Sequence, residues 1–199
     1  TWGSASTGFI GGPSVVVSAA NSLVGGSSYD TVGSKVVTIL SNGNYVVSTD
    51  SWDDVAPDVG AVTWGNGATG TTGLISSGNS LVGSSDGDTV GGGDIVVLTN
   101  GNYVVLSSTW DGAFADVGAV TWCNGSNGFP AGESSAGAVV SSANSLVGGT
   151  ADDTIGVSGV TALTNGNYVV ASYLWDEPTA PLTDAGAVTW CDGSTGRTG

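Results

Sequence analysis

The octet "LTNGNYVV" at residues 98–105 recurs unchanged at 163–170, and a near copy, "LSNGNYVV", lies at 40–47. An Asn-Gly pair between two apolar, β-branched runs is a strong short-range signal for a β-hairpin. We expect a type I′ turn at each pair, because Asn and Gly tolerate the positive φ that both central residues of this turn need. The octets therefore predict three hairpins, in which 36–40 pairs with 45–49, 95–99 with 103–107, and 160–164 with 168–172.

Each octet is the centre of a longer repeat. The segment Asn-Ser-Leu-Val-Gly precedes it, at 21–25, 79–83 and 144–148, and Gly-Ala-Val-Thr-Trp follows it, at 60–64, 118–122 and 186–190. The turn asparagines Asn42, Asn100 and Asn165 are separated by 58 and then 65 residues. Self-similarity on this scale predicts stacked supersecondary units. We expect repeat units at 1–64, 65–122 and 123–190, with 191–199 beginning a further unit or forming a terminal strand.

The strand segments are apolar on both faces, as "YVVST" at 45–49 and "GAVTW" at 60–64 show, so both faces of each small sheet should be covered. Glycines and β-branched residues interrupt every candidate helix. We therefore expect an all-β fold of three tandem, four-stranded antiparallel, blade-like units that pack face to face and resemble a β-propeller. Three blades are too few for a usual closed ring, so the units should form part of an open or oligomer-completed array.

Composition excludes several function classes. The chain has 2 basic and 17 acidic residues, a net charge of −15, and no histidine. No cationic surface is available for nucleic acid, and the same charge disfavours anionic membranes. No stretch of 18 apolar residues is present, so we expect no membrane insertion. Without histidine, the commonest hydrolase and zinc sites are excluded, and we expect a protein that is not an enzyme.

Aspartates recur at equivalent positions of the repeat. The three sets are Asp30, Asp88 and Asp153; Asp53, Asp111 and Asp176; and Asp58, Asp116 and Asp184. Repeated aspartates favour turn capping through hydrogen bonds from backbone N–H groups. Divalent-ion binding is the alternative, with Asp53, Asp111 and Asp176 as weak metal candidates. A catalytic carboxylate pair is normally single, which makes a glycosidase a remote alternative.

The seven tryptophans occupy two repeat positions. Trp2, Trp64, Trp122 and Trp190 end one strand, and Trp52, Trp110 and Trp175 follow the hairpins. Large apolar side chains at fixed repeat positions favour packing between units. The functional alternative is ring stacking on sugars by Trp52, Trp110 and Trp175.

Cys123 and Cys191 share one repeat position, directly after the strand-ending tryptophan. An intrachain disulfide requires Cα atoms within about 7 Å of each other, which adjacent layers of a tightly stacked array could satisfy. A bond between neighbouring subunits and two unpaired thiols are the alternatives that the sequence leaves open.

The combined pattern "VTxLxNGNYVVxSxxWD…DxGAVTWxxGxTG…NSLVG" resembles a repeat of uncharacterised function in very long bacterial surface proteins of the adhesin or filamentous-haemagglutinin type. It is more distantly similar to integrin-type propeller blades. This resemblance implies a β-propeller-like fold, an extracellular location on a bacterial surface, and Ca²⁺ in an acidic loop. The corresponding turns at 41–44, 99–102 and 164–167 hold no carboxylate, so we expect that calcium site to be lost and no cofactor to be bound.

The sequence thus predicts an extracellular structural or adhesive repeat protein that self-associates, as the building block of a surface filament. Its partners would be other copies of itself, with glycans as the alternative partner of a carbohydrate-binding, lectin-like module. The start at Thr1, inside the repeat pattern, is typical of a mature or trimmed piece of a secreted protein.

Overall fold

A computed structural model describes residues 3–5, 8–9, 16–35, 37–180 and 182–196. All regular structure in these ranges is β-strand, which confirms the all-β prediction. No helix in this part of the chain is long and apolar enough to cross a bilayer. Trp2 and Val36, which the sequence placed in a strand end and a hairpin, lie outside the described residues.

The strands are short and are numbered in chain order. They are β1 (Gly3–Ser4), β2 (Gly8–Phe9), β3 (Leu23–Val24), β4 (Thr38–Ile39), β5 (Tyr45–Thr49), β6 (Ala61–Gly65), β7 (Gly73–Leu74), β8 (Leu81–Val82), β9 (Ile95–Val97), β10 (Tyr103–Ser107), β11 (Ala119–Cys123), β12 (Ala138–Val139), β13 (Leu146–Val147), β14 (Val160–Ala162), β15 (Tyr168–Ser172) and β16 (Ala187–Cys191).

Each of the three main sheets contains one copy of the octet. The first sheet has the strand order β12-β8-β6-β5-β4, the second β13-β11-β10-β9, and the third β14-β15-β16. In each sheet the hairpin strands pair antiparallel, and the second hairpin strand pairs over five residues with the Ala-Val-Thr-Trp strand. The predicted hairpins are thereby confirmed. The sheets have five, four and three strands, so the prediction of four strands in every unit holds only for the second sheet, where the strand at Asn-Ser-Leu-Val (β13) joins the sheet of the preceding hairpin.

The hairpin turns differ from the type I′ prediction. The N–H of Gly43 donates to the carbonyl of Leu40 at 3.0 Å, and the N–H of Leu40 donates to the carbonyl of Asn44 at 2.9 Å. Only the glycine is left-handed, with φ of 86° at Gly43, 91° at Gly101 and 92° at Gly166. This is a type I turn followed by a left-handed glycine. The turn asparagine supports this turn locally: the side chain of Asn42 accepts the N–H of Asn44, and Asn100 and Asn165 accept in the same way from Asn102 and Asn167.

The sheets pack face to face as open, blade-like units, and the described strands do not close into a barrel. Side chains of β10 alternate between two cores. Tyr103 and Val105 pack in the core shared with the first sheet, whereas Val104 and Leu106 pack in the core shared with the third sheet. The prediction that both faces are covered therefore holds for the second sheet. Parallel pairing of β3 with β7, and of β8 with β12, continues the array from one unit to the next.

Candidate interaction surface

One set of repeated aspartates links two loops in every unit. The buried carboxylate of Asp88 accepts hydrogen bonds from the N–H groups of Ser84 at 2.7 Å, Ser85 at 2.9 Å and Asp111 at 2.9 Å. Asp30 and Asp153 accept from the equivalent backbone groups of their own units. A carboxylate that accepts several backbone hydrogen bonds caps loops that would otherwise bury unpaired donors.

The weak metal candidates make a similar contact. One oxygen of Asp53, Asp111 and Asp176 accepts the N–H of Asp58, Asp116 and Asp184, respectively, at 2.7–2.8 Å. Burial raises the pKa of Asp116, and the nearby charges of Asp111 and Asp152 raise it further. Across the described part of the chain, no group of three or more Asp, Glu, Cys or His side chains could hold a metal ion. Calcium binding stays a prediction, and these carboxylates act as caps.

The candidate sugar-stacking tryptophans lie in the core. The side chains of Trp52 and Trp110 are 3% and 6% exposed, and the partly buried Trp175 packs against the core between the second and third sheets. A sugar needs an accessible ring face, which Trp52 and Trp110 do not present. Both tryptophans therefore pack in the core, which is the role that their fixed repeat positions favoured.

Cys123 and Cys191 are buried thiols, and the structure holds no disulfide between them. Each lies opposite the tyrosine of its own hairpin, Tyr103 or Tyr168, and packs in a different core. Burial raises the pKa of the Cys123 thiol to about 12, although its hydrogen bond with Tyr103 lowers it slightly. A thiol this weakly acidic is a poor nucleophile at neutral pH, so Cys123 acts as an apolar core residue.

Each hairpin turn carries a set of three hydrogen-bond donors, which we call the carbonyl cradle, and in the first two sheets this set binds the next unit. In the second sheet, the side chains of Asn100, Asn102 and Trp122 all donate to the carbonyl of Gly193, at 2.7, 2.9 and 2.8 Å. In the first sheet, Asn42, Asn44 and Trp64 donate in the same way to the carbonyl of Gly125. The cradle explains why both residues that flank the turn glycine are asparagines: each donates to the next unit. The sequence analysis, which assigned the octet only to a hairpin, did not predict this role.

Glycine is required at the position that the cradle binds. A Cβ atom at Gly125 would lie 1.8 Å from the carbonyl oxygen of Gly101, and one at Gly193 would lie 1.7 Å from that of Gly166. Backbone atoms cannot give way over such a distance, so a side chain at either place would push the loop away from the hairpin turn of its own sheet. The loop after each Ala-Val-Thr-Trp strand thus presents a bare carbonyl to the preceding unit.

The third cradle has the same residues as the other two, but it faces away from the array. Asn165, Asn167 and Trp190 donate no side-chain hydrogen bond to any described residue. Trp190 is 52% exposed, whereas its equivalent Trp122 is 6% exposed. The third cradle therefore offers three donors and one aromatic ring at the surface.

The face of the third sheet around this cradle is apolar, and no described residue covers it. We call it the outer face, and it consists of Val169, Ala171, Val188 and Trp190. Val188 is 76% exposed, whereas the equivalent residues Val62 and Val120 are 2% and 0% exposed. Sequence reasoning missed this site because the outer face has the same repeat pattern as the covered faces. The one available signal was its place in the last complete unit.

An apolar groove of about 440 Å³ lies at the opposite end of the array, on the first sheet. We call it the first-sheet groove, and its apolar lining is Leu23, Val32, Val37, Ile39, Tyr45 and Val47. Ile39 is 71% exposed here, whereas the equivalent Val97 packs against the core between the first and second sheets. Both ends of the array thus carry surfaces that are covered in its interior.

A family model described as a repeat of unknown function, DUF5650, matches residues 1–34, 39–92, 97–157 and 162–199. The chain belongs to this repeat family. The four matches confirm the tandem repeat, and the second to fourth begin at the hairpin, so the family model cuts the repeat at a different phase from the units proposed above. No curated protein and no solved structure matches the chain. The likeness to adhesins and to integrin-type blades stays a prediction.

Proposed function

We propose that this DUF5650 chain is an extracellular, non-enzymatic structural repeat protein whose copies associate, as the building block of a surface filament. The observation that carries the proposal is the difference between Val188, which is 76% exposed, and the equivalent Val120, which is fully buried. The same apolar pattern is an interface in the interior of the array and a bare surface at its end.

Burial of such a surface provides the driving force for association. Complete burial of one valine stabilises a contact by about 2 kcal/mol, and the ring of Trp190 would add to this. Exposed apolar patches on soluble proteins commonly mark interaction sites. Because the two surfaces lie at opposite ends of the array, contacts between them are heterologous and extend without closing unless the geometry curves into a ring.

The polar residues that recur in every unit support a structural role over catalysis. Asp30, Asp88 and Asp153 hold equivalent loops through equivalent hydrogen bonds, so none of them stands apart as a single acid or base. A glycosidase uses one asymmetric carboxylate pair. The burial of the Trp52 and Trp110 rings weighs against sugar stacking at those positions.

Sedimentation velocity and negative-stain electron microscopy test the proposal. At about 0.15 M salt, where charges are screened beyond ~8 Å, we expect the wild-type chain to form larger species as its concentration rises from micromolar towards millimolar. The variant Val188→Asp should stay monomeric. Val55→Asp is the matched control, because Val55 is 77% exposed and lies outside the outer face, and it should associate like the wild type.

A wild-type chain that stays monomeric over the whole concentration range would contradict the proposal. So would association that Val188→Asp and Val55→Asp leave equally strong. Far-UV circular dichroism shows whether either variant has changed the fold.

A further inference from the structure

We infer, building on the self-association proposed above, that the outer face of one copy docks in the first-sheet groove of a second copy, with β16 of the first copy pairing antiparallel with β3 of the second. This assigns both surfaces of the contact and its register. Each contact would then repeat, between copies, the packing that joins neighbouring sheets within one chain.

Strand pairing is the first argument. The Asn-Ser-Leu-Val strands β8 and β13 each pair with an Ala-Val-Thr-Trp strand, β6 or β11. The equivalent strand β3 pairs only with β7 among the described residues, and β16 pairs only with β15. Joining β16 to β3 of a second copy would make the third sheet four-stranded, in the order of the second sheet. Unpaired strand edges that match in this way favour strand addition.

The internal pairs also fix the register. Leu81 lies opposite Val62, and Leu146 lies opposite Val120. The equivalent pair between copies is Leu23 of the second copy opposite Val188 of the first. A slip by one residue would turn Val188 away from the groove, so the register is strongly specified.

The outer face and the first-sheet groove are complementary, because their residues are the repeat equivalents of residues that pack together between the first and second sheets. Val62 of the first sheet shares one core with four residues of the second sheet, Ile95, Val97, Tyr103 and Val105. The equivalents of these four covering residues on the first sheet all line the first-sheet groove; they are Val37, Ile39, Tyr45 and Val47. The equivalent of Val62 is Val188. In the docked pair, the outer face would pack against the same types of residue that pack against the equivalent face of the first sheet inside the array.

The third cradle then receives an acceptor. Gly67 has the repeat position of Gly125 and Gly193, whose carbonyls the first two cradles bind. In the docked copies, Asn165, Asn167 and Trp190 would donate to the Gly67 carbonyl, in competition with contacts that Gly67 makes in its own chain.

Docking also requires β1 to move in the second copy. Residues 190–196 have the repeat position of residues 2–8, and Gly3 of β1 lines the groove. The incoming loop of the first copy therefore takes the place of β1.

A register-specific cross-link tests the inference. Chains carrying Leu23→Cys are mixed with chains carrying Val188→Cys, and oxidised glutathione is added to convert a facing thiol pair into a disulfide. Directly opposite residues of an antiparallel pair have Cβ atoms about 5 Å apart, close enough for this bond. We expect a covalent dimer that contains one chain of each kind, seen by non-reducing electrophoresis and located by peptide mass spectrometry.

The matched control pairs Leu23→Cys with Val55→Cys, since Val55 and Val188 are almost equally exposed. We expect at least tenfold less dimer from it than from the Val188 pair. Equal yields, with a wild-type chain that associates in sedimentation, would overturn this register and leave self-association standing. A monomeric wild-type chain without a specific cross-link would overturn both, and would leave the outer face as the seat of a further repeat in a longer polypeptide. Circular dichroism of each cysteine variant confirms that it is folded.

Discussion

The strands β11 and β16 have identical sequences, Ala-Val-Thr-Trp-Cys, and opposite surroundings. All five residues of β11 are buried, whereas Val188 and Trp190 of β16 are exposed on one face. The difference arises because the third sheet covers β11 and nothing in the described chain covers that face of β16. A strand that is apolar on both faces is therefore suited to the interior of an array, and β16 at the end of the described array presents one apolar face to solvent.

The largest expected effect comes from a charge placed at the two equivalent valines. Val120→Asp should lower the free energy of unfolding by about 4 kcal/mol, because it buries an unpaired carboxylate at a site that is 0% exposed. Val188→Asp should change the stability of the monomer by less than about 0.5 kcal/mol, because water reaches its side chain. Urea denaturation of both variants at low protein concentration provides the measurement. Equal losses of stability would mean that the outer face is covered within the monomer.

The second effect concerns a loop cap that adjoins the third sheet. Burial alone would raise the pKa of Asp153, but the hydrogen bonds that it accepts from Asp176, Thr150 and Gly149 outweigh burial and hold its pKa below the ordinary value. Asp153→Asn should cost about 3 kcal/mol at neutral pH, because it replaces a charged acceptor of several backbone hydrogen bonds. The exposed Asp86→Asn is the control and should leave stability unchanged.

The sign of the pH dependence follows from that lowered pKa. The stabilisation by Asp153 is complete above the unfolded-chain pKa of about 4 and is lost as the pH falls through the lower pKa of the folded state. The wild type should therefore lose stability in acid faster than Asp153→Asn, and their unfolding free energies should converge. A constant difference between the two curves down to strong acid would contradict this role of the carboxylate.

A smaller effect separates the second cradle from the third. Trp122→Phe removes the buried hydrogen bond to the Gly193 carbonyl and should cost about 1.5 kcal/mol of unfolding free energy. Trp190→Phe should leave the monomer unchanged within about 0.5 kcal/mol and should weaken association instead. Thermal unfolding and sedimentation equilibrium measure the two properties. If Trp190→Phe destabilised the monomer as much as Trp122→Phe, its indole would have an acceptor within its own chain.

The smallest expected effect is that of a chelator. Asp53, Asp111 and Asp176 already accept backbone hydrogen bonds, so EDTA should leave the midpoint of thermal unfolding unchanged. A marked decrease that added Ca²⁺ reverses would identify a calcium site and would restore the alternative that the aspartate pattern left open. Mg²⁺ at the same concentration is the control for ionic strength.

The hairpins could be predicted from the sequence because their signals are local. The Asn-Gly pair and its apolar flanks place the turn, and β5, β10 and β15 begin and end where the octet pattern places them. The sequence did not separate the two turn types, because Asn and Gly suit both. The side chain of Asn42 accepts the N–H of Asn44, and the third hairpin has the same turn and the same local bond although the side chain of Asn165 donates to no described residue. What the hairpin alone could not predict is the hydrogen bond from Asn42 to the carbonyl of Gly125, 83 residues away, because that bond belongs to the stacked array.

For the candidate site, too, local features could be predicted from the sequence and contacts between units could not. Turn capping by aspartates could be predicted from their recurrence at equivalent positions of the repeat, and the hydrogen bonds that Asp88 accepts from the N–H groups of Ser84 and Ser85 have that form. The exposed outer face could not be predicted, since Trp122 and Trp190 have similar neighbours in sequence and differ in what lies across from them.

The sequence by itself determined the repeat, the all-β fold and the strands of each unit, because turn chemistry and side-chain alternation act over a few residues. Only the tertiary structure decided which copies of one pattern are core and which are surface, because burial depends on the neighbour that packs against a face. The cradle bonds also depend on the tertiary structure, because their donors belong to one unit and the carbonyl that accepts them belongs to the next.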